Sequence, residues 1–178
     1  MGDEKITIEN QNDAMNALKN LNRTLSRLAM YIACFCLIGL LSVVIYGVIM
    51  RYVFNNAPPY VEQVALLLVI SVAMFGAAAG VRDAGHIGLD SLVRILPIKL
   101  QFWCSTVVNF LSILFAISLI AGGYQMAVST YASTIPTLGL SEAYRYLPVI
   151  AAGILITLFS TEHIVALFKS EKVIPSWH

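Results

Sequence analysis

The 178-residue chain is too apolar for a soluble domain and too short for much beyond one membrane domain. Charged residues make up 12% of it, about half of what soluble domains carry, and its mean hydropathy is +0.79. The net charge of +1 excludes a generally basic nucleic-acid-binding protein. We therefore predict an all-α integral membrane protein whose partners include the lipid bilayer and no nucleic acid.

Residues 1–27 are predicted to form an amphipathic helix in the membrane interface. Apolar residues recur there at alternating steps of four and three, which places them on one helical face: Ala14, Leu18, Leu21, Leu25 and Leu28. A frayed soluble helix is the competing interpretation. The apolar run that follows is too long for the core of a signal peptide, so we expect the N-terminus to be retained.

Long uncharged runs predict four membrane-spanning helices, because about 20 apolar residues cross the hydrocarbon layer. Pro58 and Pro59 separate the first two, since proline cannot continue a helix but suits the first turn of the next one. The fourth helix begins either at Ser141, with a kink at Pro148, or at Pro148 itself. The predicted membrane domain covers residues 28–168, with helices at about 28–50, 60–81, 98–130 and 146–168.

Two further features lie beside the second helix. The small residues from Gly76 to Gly80 would let another helix approach closely, so we predict a packing face there. After this helix, apolar spacing predicts a second interfacial helix with Asp90 as its N-cap; the apolar residues are Leu89, Leu92, Val93 and Leu96.

The distribution of Lys and Arg predicts the orientation in the membrane. Only Arg51 and Arg145 lie on one side, whereas the other side holds Lys5, Lys19, Arg23, Arg27, Arg82, Arg94, Lys99, Lys169 and Lys172. By the positive-inside rule, both termini are cytoplasmic, including a tail at 169–178. The turn at 55–60 and the segment at 133–145 then face outward.

Few residues at membrane depth are able to carry chemistry. Glu162 is the one charged residue that lies away from the first turn of a predicted span. It either pairs with a nearby Lys or Arg, or it serves in ion or proton transfer. Four uncharged polar residues either form interhelical hydrogen bonds or line a substrate pocket: Asn109, Gln125, Ser42 and Ser71.

Enzyme chemistry has little support in the sequence. A haem between helices needs histidines at membrane depth, but His86 lies in a predicted loop, His163 near a helix end and His178 at the terminus. The three cysteines lie in apolar runs and suit packing rather than a disulfide or metal site: Cys34, Cys36 and Cys104. We therefore predict a protein that is not an enzyme and binds no cofactor or metal.

Several short motifs resemble the small membrane (Q, or DctQ-like) subunit of tripartite ATP-independent periplasmic (TRAP) transporters. They are Arg51-Tyr-Val-Phe-Asn, Glu62, Phe75-Gly-Ala-Ala-Ala-Gly-Val-Arg82, His86-Ile87, Asp90, Leu96-Pro97, Ile135-Pro-Thr-Leu-Gly139 and Leu147-Pro148. The resemblance covers about residues 28–168. The family often has Trp where Tyr60 stands and a second acid where Gln63 stands, which weakens any role for an acidic pair there.

The resemblance implies a system in the bacterial inner membrane that imports an organic acid delivered by a periplasmic binding protein. In such systems a large subunit holds the substrate and sodium sites and moves as an elevator, while the small subunit braces it. The substrate is expected to be a carboxylate, with sialic acid as the working guess. Sodium is expected on the partner subunit and not on this chain.

Three groups of residues follow as candidate interaction sites. Packing against the large subunit is expected at Gly76, Ala77, Gly80 and Asn109. The cytoplasmic rim is expected to contain Arg82, His86, Asp90 and Arg94. The periplasmic rim, near the docked binding protein, is expected to contain Arg51, Glu62, Glu142 and Arg145. The alternative hypothesis is a stand-alone, oligomeric four-helix carrier or channel with Glu162 and Asn109 along its pathway.

Overall fold

The computed structural model describes residues 2–83, 98–135, 137 and 139–168. Each of its four long helices contains a segment long and apolar enough to cross a membrane. In chain order, the elements are α1 (Gly2–Tyr52), α2 (Tyr60–Asp83), α3 (Ile98–Ser129), a 3₁₀ helix (Glu142–Tyr146) and α4 (Leu147–Phe168). The prediction of an all-α protein with four membrane helices is confirmed.

The first helix is longer than expected. It runs without a break for 51 residues, which corresponds to about 76 Å. The prediction of a separate interfacial helix ending at residue 27 is therefore corrected, because that segment continues directly into the membrane span. Within that segment, Leu21 and Leu28 are about half exposed, whereas Asn22 and Ser26 are buried.

The helices pack as two antiparallel pairs, α1 with α2 and α3 with α4, joined through contacts between α2 and α4. The central position of α4 shows in its burial: 44% of its apolar window is buried, against 6% for α1. Ala78, Ala116 and Ala152 bring α2, α3 and α4 close together around Ile156 and Phe159. Small side chains thus allow close approach where the bilayer itself offers little hydrophobic drive for association.

Tight connections form one end of the bundle, here called the turn end. Asn55 adopts a left-handed conformation with φ of 48°, and the Asn56 N–H donates to the Met50 carbonyl at 3.0 Å. Asparagine tolerates this conformation better than most residues. These features reverse the chain between α1 and α2 within a few residues.

The second connection at the turn end settles where the fourth helix begins. Ser141 caps the 3₁₀ helix by accepting a hydrogen bond from the Ala143 N–H, and α4 follows directly from Leu147. Pro148 therefore lies in the first turn of α4, where its missing N–H has no intrahelical partner to lose. The fourth helix therefore begins one residue before Pro148, the second of the two predicted starting points, whereas Ser141 caps the 3₁₀ helix.

Candidate functional site

A buried ion pair joins α2 to α4 at the end of the bundle opposite the turns. Arg82 Nε donates to Glu162 Oε2 at 3.3 Å, and Arg82 Nη2 donates to Glu162 Oε1 at 3.3 Å. The two side chains are only 2% and 3% exposed. This forked geometry satisfies both carboxylate oxygens, which is what makes an ion pair tolerable away from water.

Other polar groups complete what we call the polar cluster, which consists of Asn22, Ser26, Arg82, Asp83, Glu162 and His163. Asn22 Nδ2 donates to Glu162 Oε2 at 2.8 Å. Ser26 Oγ donates to Asp83 Oδ2 at 3.0 Å, and Arg82 Nη1 donates to Asp83 Oδ1 at 3.3 Å. His163 Nε2 lies 3.1 Å from the Arg82 carbonyl oxygen, so this nitrogen carries the proton. The cluster therefore ties α1, α2 and α4 together.

The prediction that Glu162 pairs with a nearby Lys or Arg is confirmed by its contacts with Arg82. The roles of Asn22 and Ser26 were missed. Their signal in the sequence is a stripe of small or polar residues that continues through Ala29 and Ala33, all of which are buried. Of the expected cytoplasmic rim, Arg82 belongs to the cluster, while His86, Asp90 and Arg94 lie outside the described residues.

The small residues of α2 divide between two faces of the helix. Ala78 and Ala79 are buried in the bundle. Gly76 and Gly80 face open space, since a Cβ atom added at either position would meet nothing within 4 Å, and Ala77 is exposed. We call the outward stripe, formed by Ala73, Gly76, Ala77 and Gly80, the open face of α2. It is flat and unoccupied by the described part of this chain.

Asn109 does not share that face. It is 3% exposed, and its Nδ2 donates to the Ser105 carbonyl of its own helix at 2.9 Å. Its expected place on an outer packing face is therefore corrected. Ser42 and Ser71 likewise donate to carbonyls one turn earlier, so the hydrogen bonds seen for these three residues lie within helices rather than between them. Gln125 is exposed.

Charged residues gather at the turn end. Arg51 and Glu62 approach to 3.8 Å with side chains 60% and 77% exposed. Arg145 Nη1 donates to Glu142 Oε1 at 3.2 Å, and its Nη2 donates to Gln63 Oε1 of α2. The four residues predicted for the outer rim thus lie at one end of the bundle. Gln63, for which no role was predicted, links the 3₁₀ helix to α2.

Comparison with known proteins gives a consistent set of matches. The family described as "Tripartite ATP-independent periplasmic transporters, DctQ component" matches residues 40–170. A protein of Haemophilus influenzae whose description assigns it as a TRAP transporter small permease protein is 23% identical over 140 residues, covering 79% of this chain and 82% of that protein. A second such protein from the same strain is 26% identical over 133 residues, covering 72% and 81% respectively.

Two shorter matches carry more specific names. The C4-dicarboxylate TRAP transporter small permease protein DctQ of Vibrio cholerae is 30% identical over 79 residues, which is 44% of this chain and 34% of that protein. The sialic acid TRAP transporter permease protein SiaT of another Haemophilus influenzae strain is 31% identical over 78 residues. That match covers 41% of this chain but only 13% of SiaT, so a short part of a much longer permease resembles this chain.

Proposed function

Because the chain belongs to the DctQ component family of TRAP transporters, and is thus a small permease subunit rather than an enzyme, we propose that it braces a large permease subunit. The observation that carries this proposal is the open face of α2. A membrane helix with glycines over empty space provides a flat surface on which a second helix packs closely. The SiaT match is consistent with this, since there the similar segment forms part of a longer permease.

The buried pair of Arg82 and Glu162 supports the proposal that this subunit braces the large subunit and does not itself move ions. Glu162 is the one carboxylate at membrane depth predicted to be able to move an ion, and Arg82 and Asn22 already occupy its oxygens. Sodium coupling and the elevator motion are accordingly proposed for the large subunit. This weakens the carrier or channel hypothesis, which needs Glu162 along its pathway.

The substrate is proposed to be an organic acid. The specific relatives are named for sialic acid and for C4-dicarboxylates, and the carboxylate is the feature these compounds share. Sialic acid stays our working guess. We also propose an inner-membrane location with cytoplasmic termini, so that the polar cluster faces the cytoplasm and the turn end faces the docked binding protein.

Replacing Gly76 and Gly80 together by leucine should abolish copurification with the large TRAP permease subunit of the same organism. The added side chains project from the open face, where their Cβ atoms would meet nothing of this chain within 4 Å, so they would hold a partner helix away. The measurement is affinity purification of the tagged small subunit from membranes, followed by quantification of the large subunit.

The matched control is Gly122→Leu, because Gly122 of α3 also faces open space. This variant should copurify normally. Equal recovery of the large subunit with all variants would reject the open face as the contact, and failure of the unaltered chain to copurify any large permease would reject the bracing role itself.

Reversing the charges of Arg51 and Arg145 to glutamate should slow uptake while leaving assembly with the large subunit intact. Charges at an exposed rim act mainly on the rate of encounter, so we expect the rate at limiting binding protein to fall by about threefold to tenfold. Uptake into vesicles with purified binding protein would be measured at low and high salt. An unchanged rate would indicate that these residues only close the turns.

A further inference from the structure

A groove of about 690 Å³ opens between α3 and the start of α4 at the turn end of the bundle. We call it the tyrosine groove. One wall comes from α3 and the turn after it, and the other comes from the 3₁₀ helix and the beginning of α4. The residues that define it are Tyr124, Val128, Tyr131, Tyr144, Leu147 and Ile150. It shares no residue with the polar cluster or with the open face of α2.

The tyrosine groove crosses the level at which the polar surface of the bilayer meets the hydrocarbon. Arg145 is the last charged residue before α4, so Leu147 and Ile150 after it lie on the hydrocarbon side of that level. On α3, Gly123 is level with Ile150, because a Cβ atom there would lie 2.9 Å from Ile150 Cγ1. Tyr131 lies beyond the end of α3, on the polar side. The groove therefore runs from the polar surface into the hydrocarbon.

The chemistry of the lining changes in the same direction. Tyr131 and Tyr144 at the outer end are 74% and 50% exposed, and neither hydroxyl has a hydrogen-bond partner within the described part of the chain. The apolar part of the lining comes from Val128, Leu147 and Ile150, and no charged residue is among the described residues that line the groove. The groove thus offers hydrogen bonds at one end and apolar contacts at the other.

Close helix contacts end the groove toward the middle of the membrane. Gly123 packs against Ile150, and deeper in the bundle a Cβ atom at Gly153 would lie 2.7 Å from Ile120 Cγ1. From Tyr131 to Gly123 the groove is therefore only about 12 Å deep. A spanning helix of a partner needs a face of about 30 Å, and a protein outside the membrane would reach the outer end alone.

We propose that the tyrosine groove is a binding site for one phospholipid of the adjacent leaflet. An acyl chain would pack against Val128, Leu147 and Ile150, and the ester and phosphate oxygens would accept hydrogen bonds from the hydroxyls of Tyr131 and Tyr144. A phospholipid is polar and apolar in the same order along the membrane normal as the groove is, and tyrosine suits this depth for the same reason. The site does not depend on the bracing function.

The test is retention of phosphatidylethanolamine by the purified full-length chain after washing in detergent, read by native mass spectrometry. The unaltered chain should retain one molecule. In Ala127→Phe, a ring would fill the groove that Ala127 lines. Retention should fall by about tenfold or more, since lost contact with two methylene groups already has that effect. Phosphatidylglycerol should be retained equally well at low and high salt, because no ionic contact is involved.

The double variant Tyr131→Phe with Tyr144→Phe tests the polar end of the groove. Both side chains are at least half exposed, so this variant should fold, and it serves as the test if Ala127→Phe does not. Retention should fall by about threefold to tenfold, the usual effect of losing a neutral hydrogen bond. Unchanged retention in this variant would contradict the proposed contact with the lipid oxygens.

Ala121→Phe is the matched control for the filled groove, because Ala121 is exposed on α3 but does not line the groove. It should retain the lipid as the unaltered chain does. No retention by the unaltered chain, full retention by Ala127→Phe, or equal losses in the two phenylalanine variants would each overturn the proposal. Loss of the large subunit from Ala127→Phe, with no lipid in the unaltered complex, would also overturn it, since a partner segment would then fill the groove.

Discussion

Arg82→Ala should destabilise the folded bundle by about 3–5 kcal/mol, because it leaves the carboxylate of Glu162 buried without its cation. Glu162 loses both hydrogen bonds from the guanidinium, and its side chain is only 3% exposed. The free energy of unfolding would be measured by titrating the protein in mixed micelles with a denaturing detergent and following its helical signal.

Arg51 provides the matched control for this experiment. It also pairs with a glutamate, but at 3.8 Å and with both side chains more than half exposed, so Arg51→Ala should cost no more than about 1 kcal/mol. The double variant Arg82→Met with Glu162→Leu should recover part of the loss, because it removes both charges of the pair, while Asp83 keeps the hydrogen bond from Ser26. If Arg82→Ala costs no more than Arg51→Ala, the buried pair does not stabilise the bundle.

The lengths of the helices could be predicted largely from the sequence because charges or prolines mark most ends of the apolar runs, the end of α3 excepted. The observed bounds of α2, α3 and α4 differ from the predicted ones by at most two residues. The exception was α1, where we placed a boundary at residue 27 on the basis of charge. No glycine or proline lies between Gly2 and Gly39, so nothing in the chain breaks the helix, and charge alone does not end one.

The pairings within the polar cluster were harder to predict from the sequence than the helices were. Arg82 and Glu162 are 80 residues apart, and their pairing depends on how α2 lies against α4. The inward face of α1 at this height is polar, which the spacing of apolar residues does not reveal: Asn22 meets Glu162 and Ser26 meets Asp83. Apolar periodicity predicts the buried side only where the neighbouring helices are apolar too.

The glycine-rich stretch of α2 likewise shows that a sequence pattern alone does not identify which side of a helix is buried. As a run of small residues it predicted one packing face, but a helix turns about 100° per residue, so five consecutive residues cannot share a face. Ala78 and Ala79 pack inside, whereas Gly76 and Gly80 remain open. Which part faces inward is decided by the positions of α1 and α4, and these follow from contacts distant in the sequence.

Gly153→Ala should destabilise the α3–α4 pair by about 1–3 kcal/mol, the usual cost of overpacking a core, and Gly153→Leu by more. A Cβ atom at this position would lie 2.7 Å from Ile120 Cγ1 and 3.0 Å from the Ala116 carbonyl oxygen. The Ile120 side chain is able to rotate away, but the carbonyl belongs to the backbone of α3 and moves only if the helices separate. The same detergent titration would measure the loss.

Gly122→Ala is the paired control, one helix away on α3. Its added methyl group would meet nothing within 4 Å, so the higher helix propensity of alanine should leave the bundle unchanged or stabilise it by up to about 1 kcal/mol. The two substitutions are chemically identical, and the difference between them therefore reports the helix contact alone. Equal free energies of unfolding for both variants would mean that α3 and α4 do not approach each other at Gly153 as closely as described.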